Sequence, residues 1–78
     1  MATPYPARDI QWWLVDSSNV DAVGYDSEHG MYVRYSHGGL YLYHDVTRQR
    51  AVACAMSKSV GKYIHAEIKP NHKCTKIL

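Results

Sequence analysis

The chain contains no phenylalanine, so its aromatic volume comes from seven tyrosines and two tryptophans. Each tyrosine ring carries a hydroxyl that needs a hydrogen-bond partner when the ring is buried. Cysteine is also scarce, because Cys54 and Cys74 are too few and too far apart for a disulfide-stabilised scaffold. We therefore expect a domain held together by its core, in the reducing environment of the cytoplasm.

Long apolar stretches are missing as well. No run approaches the 18 or more residues of a membrane span, and no charged start followed by an apolar stretch marks a signal peptide. Cys74 lies fifth from the end, one position away from where prenylation requires it. We expect a single small domain of 78 residues with no membrane partner and no lipid anchor.

Acidic residues are scarce in the second part of the chain. Glu67 is the only acid after residue 45, where seven basic residues give a balance of +6, whereas residues 1–45 have a balance of −4. The basic residues are Arg48, Arg50, Lys58, Lys62, Lys69, Lys73 and Lys76. Two interpretations stay open: a solvated face, or a basic surface that suits phosphates or an acidic protein.

Alternation with a period of two predicts a β-hairpin. Residues 31–35 and 40–43 alternate on either side of a break at His37-Gly38-Gly39. Tyr41 and Tyr43 must then share a face, as either a wall of the core or a platform for a ligand. Tyr32 points to the other face and is the better candidate for an exposed ring. We expect the buried hydroxyls to find partners near Ser57 and Ser59.

Further strands are expected at residues 11–15 and 20–25, and alternation places Trp12 and Trp13 on opposite faces. After Tyr43 the period changes, because Ala51, Cys54 and Ala55 form a helical stripe within residues 47–56. A second helix is expected over residues 61–68, with Ser59 as its cap. The predicted class is α+β: a small antiparallel meander of three to four strands packed against two short C-terminal helices.

The predicted organisation has three parts: an extended arm at residues 1–10, the domain at 11–69, and a loose basic tail at 70–78. Four segments, 15–19 (VDSSN), 23–26 (VGYD), 39–43 (GLYLY) and 59–64 (SVGKYI), together resemble the KTSC domain, named for the C-terminal extension of some lysyl-tRNA synthetases. The resemblance covers about residues 15–68. Its signature residues here are Tyr41, Tyr43, Ser59, Gly61 and Tyr63. It implies a synthetase appendage or a stand-alone bacterial or phage protein, with RNA binding as the suggested function.

Two functions are consistent with these observations. The first is a non-catalytic module that binds RNA or another nucleic acid through a basic helical face. Its candidate contacts are Arg48, Arg50, Lys58, Lys62, Lys69, Lys73 and Tyr32. The second is a phage- or bacterium-encoded module that modulates a host protein, with Trp12 or Trp13 as an aromatic anchor. We expect a monomer, or a weak homodimer formed through an exposed strand edge.

Catalytic, metal and cofactor sites are not expected. The sequence offers no organised set of acid, base and nucleophile, so we do not expect an enzyme. His65, His72 and Cys74 lack the paired spacing of zinc ligands.

Overall fold

The computed structural model describes residues 9–78, and the arm predicted for residues 1–10 falls almost entirely outside that range. Five antiparallel strands form one sheet in sequence order. They are β1 (Gln11–Leu14), β2 (Val20–Asp26), β3 (Gly30–Tyr35), β4 (Leu40–His44) and β5 (Cys74–Lys76). The helices are α1 (Arg48–Ala55) and α2 (Val60–Tyr63), and α2 continues into a π-helical segment (Ile64–Ile68). The α+β prediction is confirmed, with one strand more than expected.

The predicted hairpin is formed by β3 and β4. Gly38 and Gly39 have φ angles of 106° and 100°, a backbone conformation that is strained for any residue with a side chain. The register pairs Val33 with Tyr41 and Met31 with Tyr43, so both tyrosines lie on the same face of the sheet, as predicted.

The main core lies between the sheet and the helices. Ala51 and Cys54 of α1 are completely buried, and their small side chains let this helix pack closely on β2 and β3. Burial raises the pKa of Cys54 to about 12, so this thiol is a buried apolar group. Thr47 caps α1, because its hydroxyl accepts from the Arg50 amide at 3.2 Å. Among residues 9–78, no helix is long and apolar enough to cross a bilayer.

The prediction of an exposed Tyr32 ring is wrong. Tyr32 lies on the sheet face away from the helices and is completely buried with Leu40 and Leu42. Ile10 and Ile77 pack against this second cluster, and the Trp12 ring centroid lies 6.2 Å from that of Tyr32. The Tyr32 hydroxyl also donates to Asp26 at 2.5 Å. We therefore remove Tyr32 from the candidate ligand contacts.

The tail expected to be loose contains β5, which pairs with β4. The His44 side chain lies 2.7 Å from the Thr75 hydroxyl, and the His72 ring nitrogen lies 2.8 Å from the His44 carbonyl oxygen. The His44 amide donates to the Lys73 carbonyl oxygen at 2.8 Å. These contacts hold the segment in place, and β5 covers an edge of β4 that would otherwise be unpaired.

Candidate functional site

Three tyrosines meet on the helix-covered face of the sheet, at the β4 side. Tyr43 is 3% exposed, and its hydroxyl lies 3.1 Å from the Tyr35 hydroxyl. The Tyr35 and Tyr41 rings meet edge to face, with centroids 5.4 Å apart and an interplanar angle of 83°. Tyr43 therefore belongs to the core, whereas Tyr35 and Tyr41 are half-buried. For the Tyr43 hydroxyl, the prediction of a partner near Ser57 and Ser59 is wrong, because its partners are Tyr35 and Cys74.

The tyrosine trio forms one wall of an open cleft of about 540 Å³, which we call the tyrosine cleft. The other walls come from the turn before β2, the hairpin break and the segment after the π-helix. The cleft is lined by Asn19, Tyr35, His37, Tyr41, Tyr43, Lys69, His72 and Cys74. Its floor is aromatic, and amide, imidazole and ammonium groups surround it.

A second open cleft, of about 710 Å³, lies between the turn before β2 and the second helix, and we call it the lysine cleft. It is lined by Asp16, Ser17, Ser18, Asn19, Lys58, Ser59, Val60, Gly61, Lys62, His65 and Ala66. Asn19 lines both clefts, so the two are adjacent.

The close approach of Asn19 to α2 depends on Gly61. A Cβ atom built at Gly61 would lie 3.0 Å from Asn19 Oδ1, tighter than ordinary van der Waals contact. Ser59 precedes α2 as predicted, but its side chain makes no capping hydrogen bond. Its amide instead donates to the Ser57 hydroxyl at 3.1 Å. The Ser59 and Gly61 signature positions thus line a cleft, where a glycine permits close packing.

The predicted basic residues are divided between the clefts and other surfaces. Lys58 and Lys62 are exposed on the lysine cleft, and Lys69 is exposed on the tyrosine cleft. Arg48 and Arg50 line neither cleft: Arg48 donates to Gln11 at 3.3 Å, and Arg50 donates to Glu67 at 3.3 Å. Only three of the predicted cations are therefore brought together.

The remaining predicted residues lie away from both clefts. Lys73 is exposed in the turn before β5, and Tyr63 lies half-buried beside Arg50 and α1. Trp12 is 39% exposed on the face away from the helices, whereas Trp13 packs against the main core. The prediction that the two tryptophans lie on opposite faces is confirmed.

Two groups that line the tyrosine cleft, the Tyr43 hydroxyl and the Cys74 thiol, are held in their neutral forms. Burial and the Tyr35 hydroxyl raise the pKa of Tyr43 far above its ordinary value of 10.0. Burial also raises the pKa of Cys74, although Tyr43 and Lys69 oppose the shift. Neither group is an activated nucleophile at neutral pH. Among the residues that the structure describes, no three His, Cys, Asp or Glu side chains are grouped to hold a metal ion.

Sequence reasoning missed several residues of the two clefts. Tyr35 could have been found, because the predicted hairpin places it on the same face as Tyr41. Asn19 and His72 approach Tyr35 only through the tertiary fold, and no local pattern indicates that.

Comparison with known proteins identifies a domain family whose model spans most of this chain. The KTSC domain family model matches residues 16–72, which include every residue of the lysine cleft. The crystal structure of a KTSC domain protein from Yersinia pestis is similar, with a TM-score of 0.80 and 25% sequence identity. The match covers 90% of this chain and 100% of that chain. Among curated protein sequences, none matches.

Proposed function

This chain belongs to the KTSC domain family, and from its two clefts we propose that it is a non-catalytic module that binds RNA. The observation that carries the proposal is the position of three exposed lysines, Lys58, Lys62 and Lys69, on adjoining clefts. Phosphate groups along a nucleic-acid backbone are the ligands that such a row of ammonium groups favours.

The local charge supports a polyanionic ligand. Within residues 9–78, Asp16 is the only acidic residue lining either cleft, against the three lysines. The Arg50 guanidinium, in contrast, already has the Glu67 carboxylate as a partner. Free ammonium groups on the rim of a cleft can each displace counterions from one phosphate, which makes binding salt-dependent.

The proposal is tested by measuring the affinity for a short single-stranded RNA at several salt concentrations. Three phosphate contacts give a slope of about −2 in a plot of log affinity against log salt. The double variant Lys58→Gln/Lys62→Gln is expected to weaken binding and to reduce the slope to about −0.7, because one contact remains. Fluorescence anisotropy with a labelled oligonucleotide measures both quantities.

The matched control is Arg48→Gln/Arg50→Gln, which removes the same charge outside both clefts. This variant is expected to retain the wild-type slope. If both double variants weaken binding equally, the attraction is spread over the whole basic surface and the clefts are not the site. No association with RNA at low salt contradicts the proposed function.

A second candidate function is supported by the opposite sheet face. Leu14 is 89% exposed and Trp12 is 39% exposed on the edge strand β1, a combination that suits a protein partner such as a host factor of a phage or bacterium. A pull-down with and without nuclease separates the two candidates. A partner that is retained after nuclease treatment and lost on Trp12→Ala substitution favours this second function.

The proposed location is the cytoplasm, and the proposed state is a monomer or a weak dimer through the β1 edge. Free thiols at Cys54 and Cys74 are in keeping with a reducing compartment.

A further inference from the structure

The tyrosine cleft has features that phosphate binding alone leaves unused. Its volume of about 540 Å³ lies within the range of about 300 to 1,000 Å³ typical of small-molecule sites. Two of its tyrosines, Tyr35 and Tyr41, are half-buried and not sealed within the core. An open aromatic cavity of this size suits a flat, unsaturated ligand.

The two rings meet nearly at a right angle, at 83°. A planar ligand that stacks on one ring in this corner therefore presents its own edge to the face of the other ring, and both contacts are favourable for aromatic groups. The corner is held in place from below, because the Tyr35 hydroxyl lies 3.1 Å from that of the buried Tyr43. Preorganised rings lose little conformational entropy when they bind.

Polar side chains line the tyrosine cleft beside the two rings. Asn19 offers an amide donor and acceptor between the two clefts, and Lys69 offers a cation on the rim. The His72 ring is fixed by its contact with the His44 carbonyl oxygen at 2.8 Å. The lysine cleft begins on the other side of Asn19, where the backbone of a bound strand can continue to Lys62.

We propose that the tyrosine cleft holds one unpaired nucleobase of the bound RNA. This inference rests on the proposed function and specifies its ligand: a single strand, or a base extruded from a loop, and not an intact duplex. A paired base has both faces covered by its neighbours and cannot stack on a protein ring. Phosphate contacts alone would not distinguish these ligands, because single strands and duplexes both carry them.

The test uses the full chain and three RNA ligands of about eight nucleotides: a single strand, the same strand with abasic units in place of its bases, and a duplex. The intact single strand is expected to bind about 5- to 150-fold more tightly than the abasic strand. This ratio corresponds to about 1 to 3 kcal/mol per stacked base. The aromatic NMR signals of Tyr35 and Tyr41 are expected to shift with the intact strand alone.

A variant pair tests the ring directly. Tyr41→Leu removes one of the two rings and is expected to reduce the preference for the intact over the abasic strand. The control Tyr25→Leu makes the same change at a half-buried tyrosine outside both clefts and is expected to retain the full preference. If Tyr41→Leu does not fold, two measurements on the unaltered protein test the base site instead. They are the NMR signal changes of Tyr35 and Tyr41 and the affinity ratio of the intact and abasic strands. Equal affinity for all three ligands, weakened in each case by Lys58→Gln/Lys62→Gln, overturns the base site and leaves the proposed function standing. Failure of every RNA to bind removes both.

Discussion

Replacement of Asp26 by asparagine is expected to destabilise the fold by about 3 kcal/mol at pH 7. Asp26 is 5% exposed, and its carboxylate accepts hydrogen bonds from the Glu28 and His29 amides at 2.7 Å and from the Tyr32 hydroxyl at 2.5 Å. A bond to a charged group contributes about 1 kcal/mol more than a neutral one, and three bonds lose that difference. The loss is large, because a domain of this size has a total stability of about 4 to 12 kcal/mol.

The pH dependence of this effect has a definite sign. Burial by itself raises the pKa of Asp26, but the hydrogen bonds from Tyr32, His29 and Glu28 outweigh burial and lower it below its ordinary value of 3.8. The stability that the carboxylate contributes is therefore fully present above the pKa of the unfolded chain and is lost as the pH falls through the lower, folded value. The difference between the native protein and Asp26→Asn is expected to narrow below about pH 4.

Urea unfolding at pH 7 and at pH 3, followed by tryptophan fluorescence, measures both effects. Asp21→Asn is the matched control on the same strand, because Asp21 is exposed and accepts from the Ser36 hydroxyl at 2.7 Å. We expect this control to cost less than about 1 kcal/mol. The reasoning is refuted if Asp26→Asn unfolds within about 0.5 kcal/mol of the native protein at pH 7, or if its deficit is the same at both pH values.

Two glycine predictions use the same unfolding assay. Gly38→Ala is expected to lower the free energy of unfolding by about 1 to 2 kcal/mol, because φ is 106° although nothing lies within 4 Å of the added Cβ. Gly30→Ala is expected to lower it further, because its Cβ would overlap the Tyr43 carbonyl oxygen. Equal costs contradict this order. Gly61→Ala is expected to preserve stability or raise it by up to about 1 kcal/mol, while it displaces Asn19 and weakens RNA binding. A loss of more than about 1 kcal/mol would show that Asn19 cannot move.

Local patterns were sufficient for much of the fold. The hairpin, the shared face of Tyr41 and Tyr43, and the helical stripe of Ala51, Cys54 and Ala55 depend on backbone geometry within a few residues. The structure confirms all three, with Ala51 and Cys54 buried and Ala55 partly buried against the core. Alternation reports which residues share a face, but it does not report what covers that face. For this reason alternation does not predict the burial of Tyr32, whose ring is covered by residues from other parts of the chain.

The same limit explains the missing strand and the incomplete site. The segment 74–76 is short and has no alternating apolar pattern, and it forms a strand because β4 offers an edge to pair with. Charge alone predicts the candidate basic residues, and it indicates Lys58, Lys62 and Lys69 but also two arginines with partners elsewhere. Asn19 joins the two clefts through the close approach to Gly61, which depends on how the second helix packs.

The presence of tyrosine and not phenylalanine at positions 35 and 41 has a physical reason in the shape of the core. An eight-residue helix is about 12 Å long, whereas five strands span about 19 Å, so α1, which packs on β2 and β3, cannot cover the whole sheet. The β4 side stays partly open to water, where the hydroxyl of a tyrosine is solvated or hydrogen-bonded and a phenylalanine would leave bare apolar surface. Tyr35 and Tyr41 thus complete the core on one side and line a cleft on the other. The fold needs these rings for stability at the same place where a ligand can reach them. Tyr41→Leu separates the contribution to stability from the contribution to binding, because it preserves apolar volume and removes the aromatic ring.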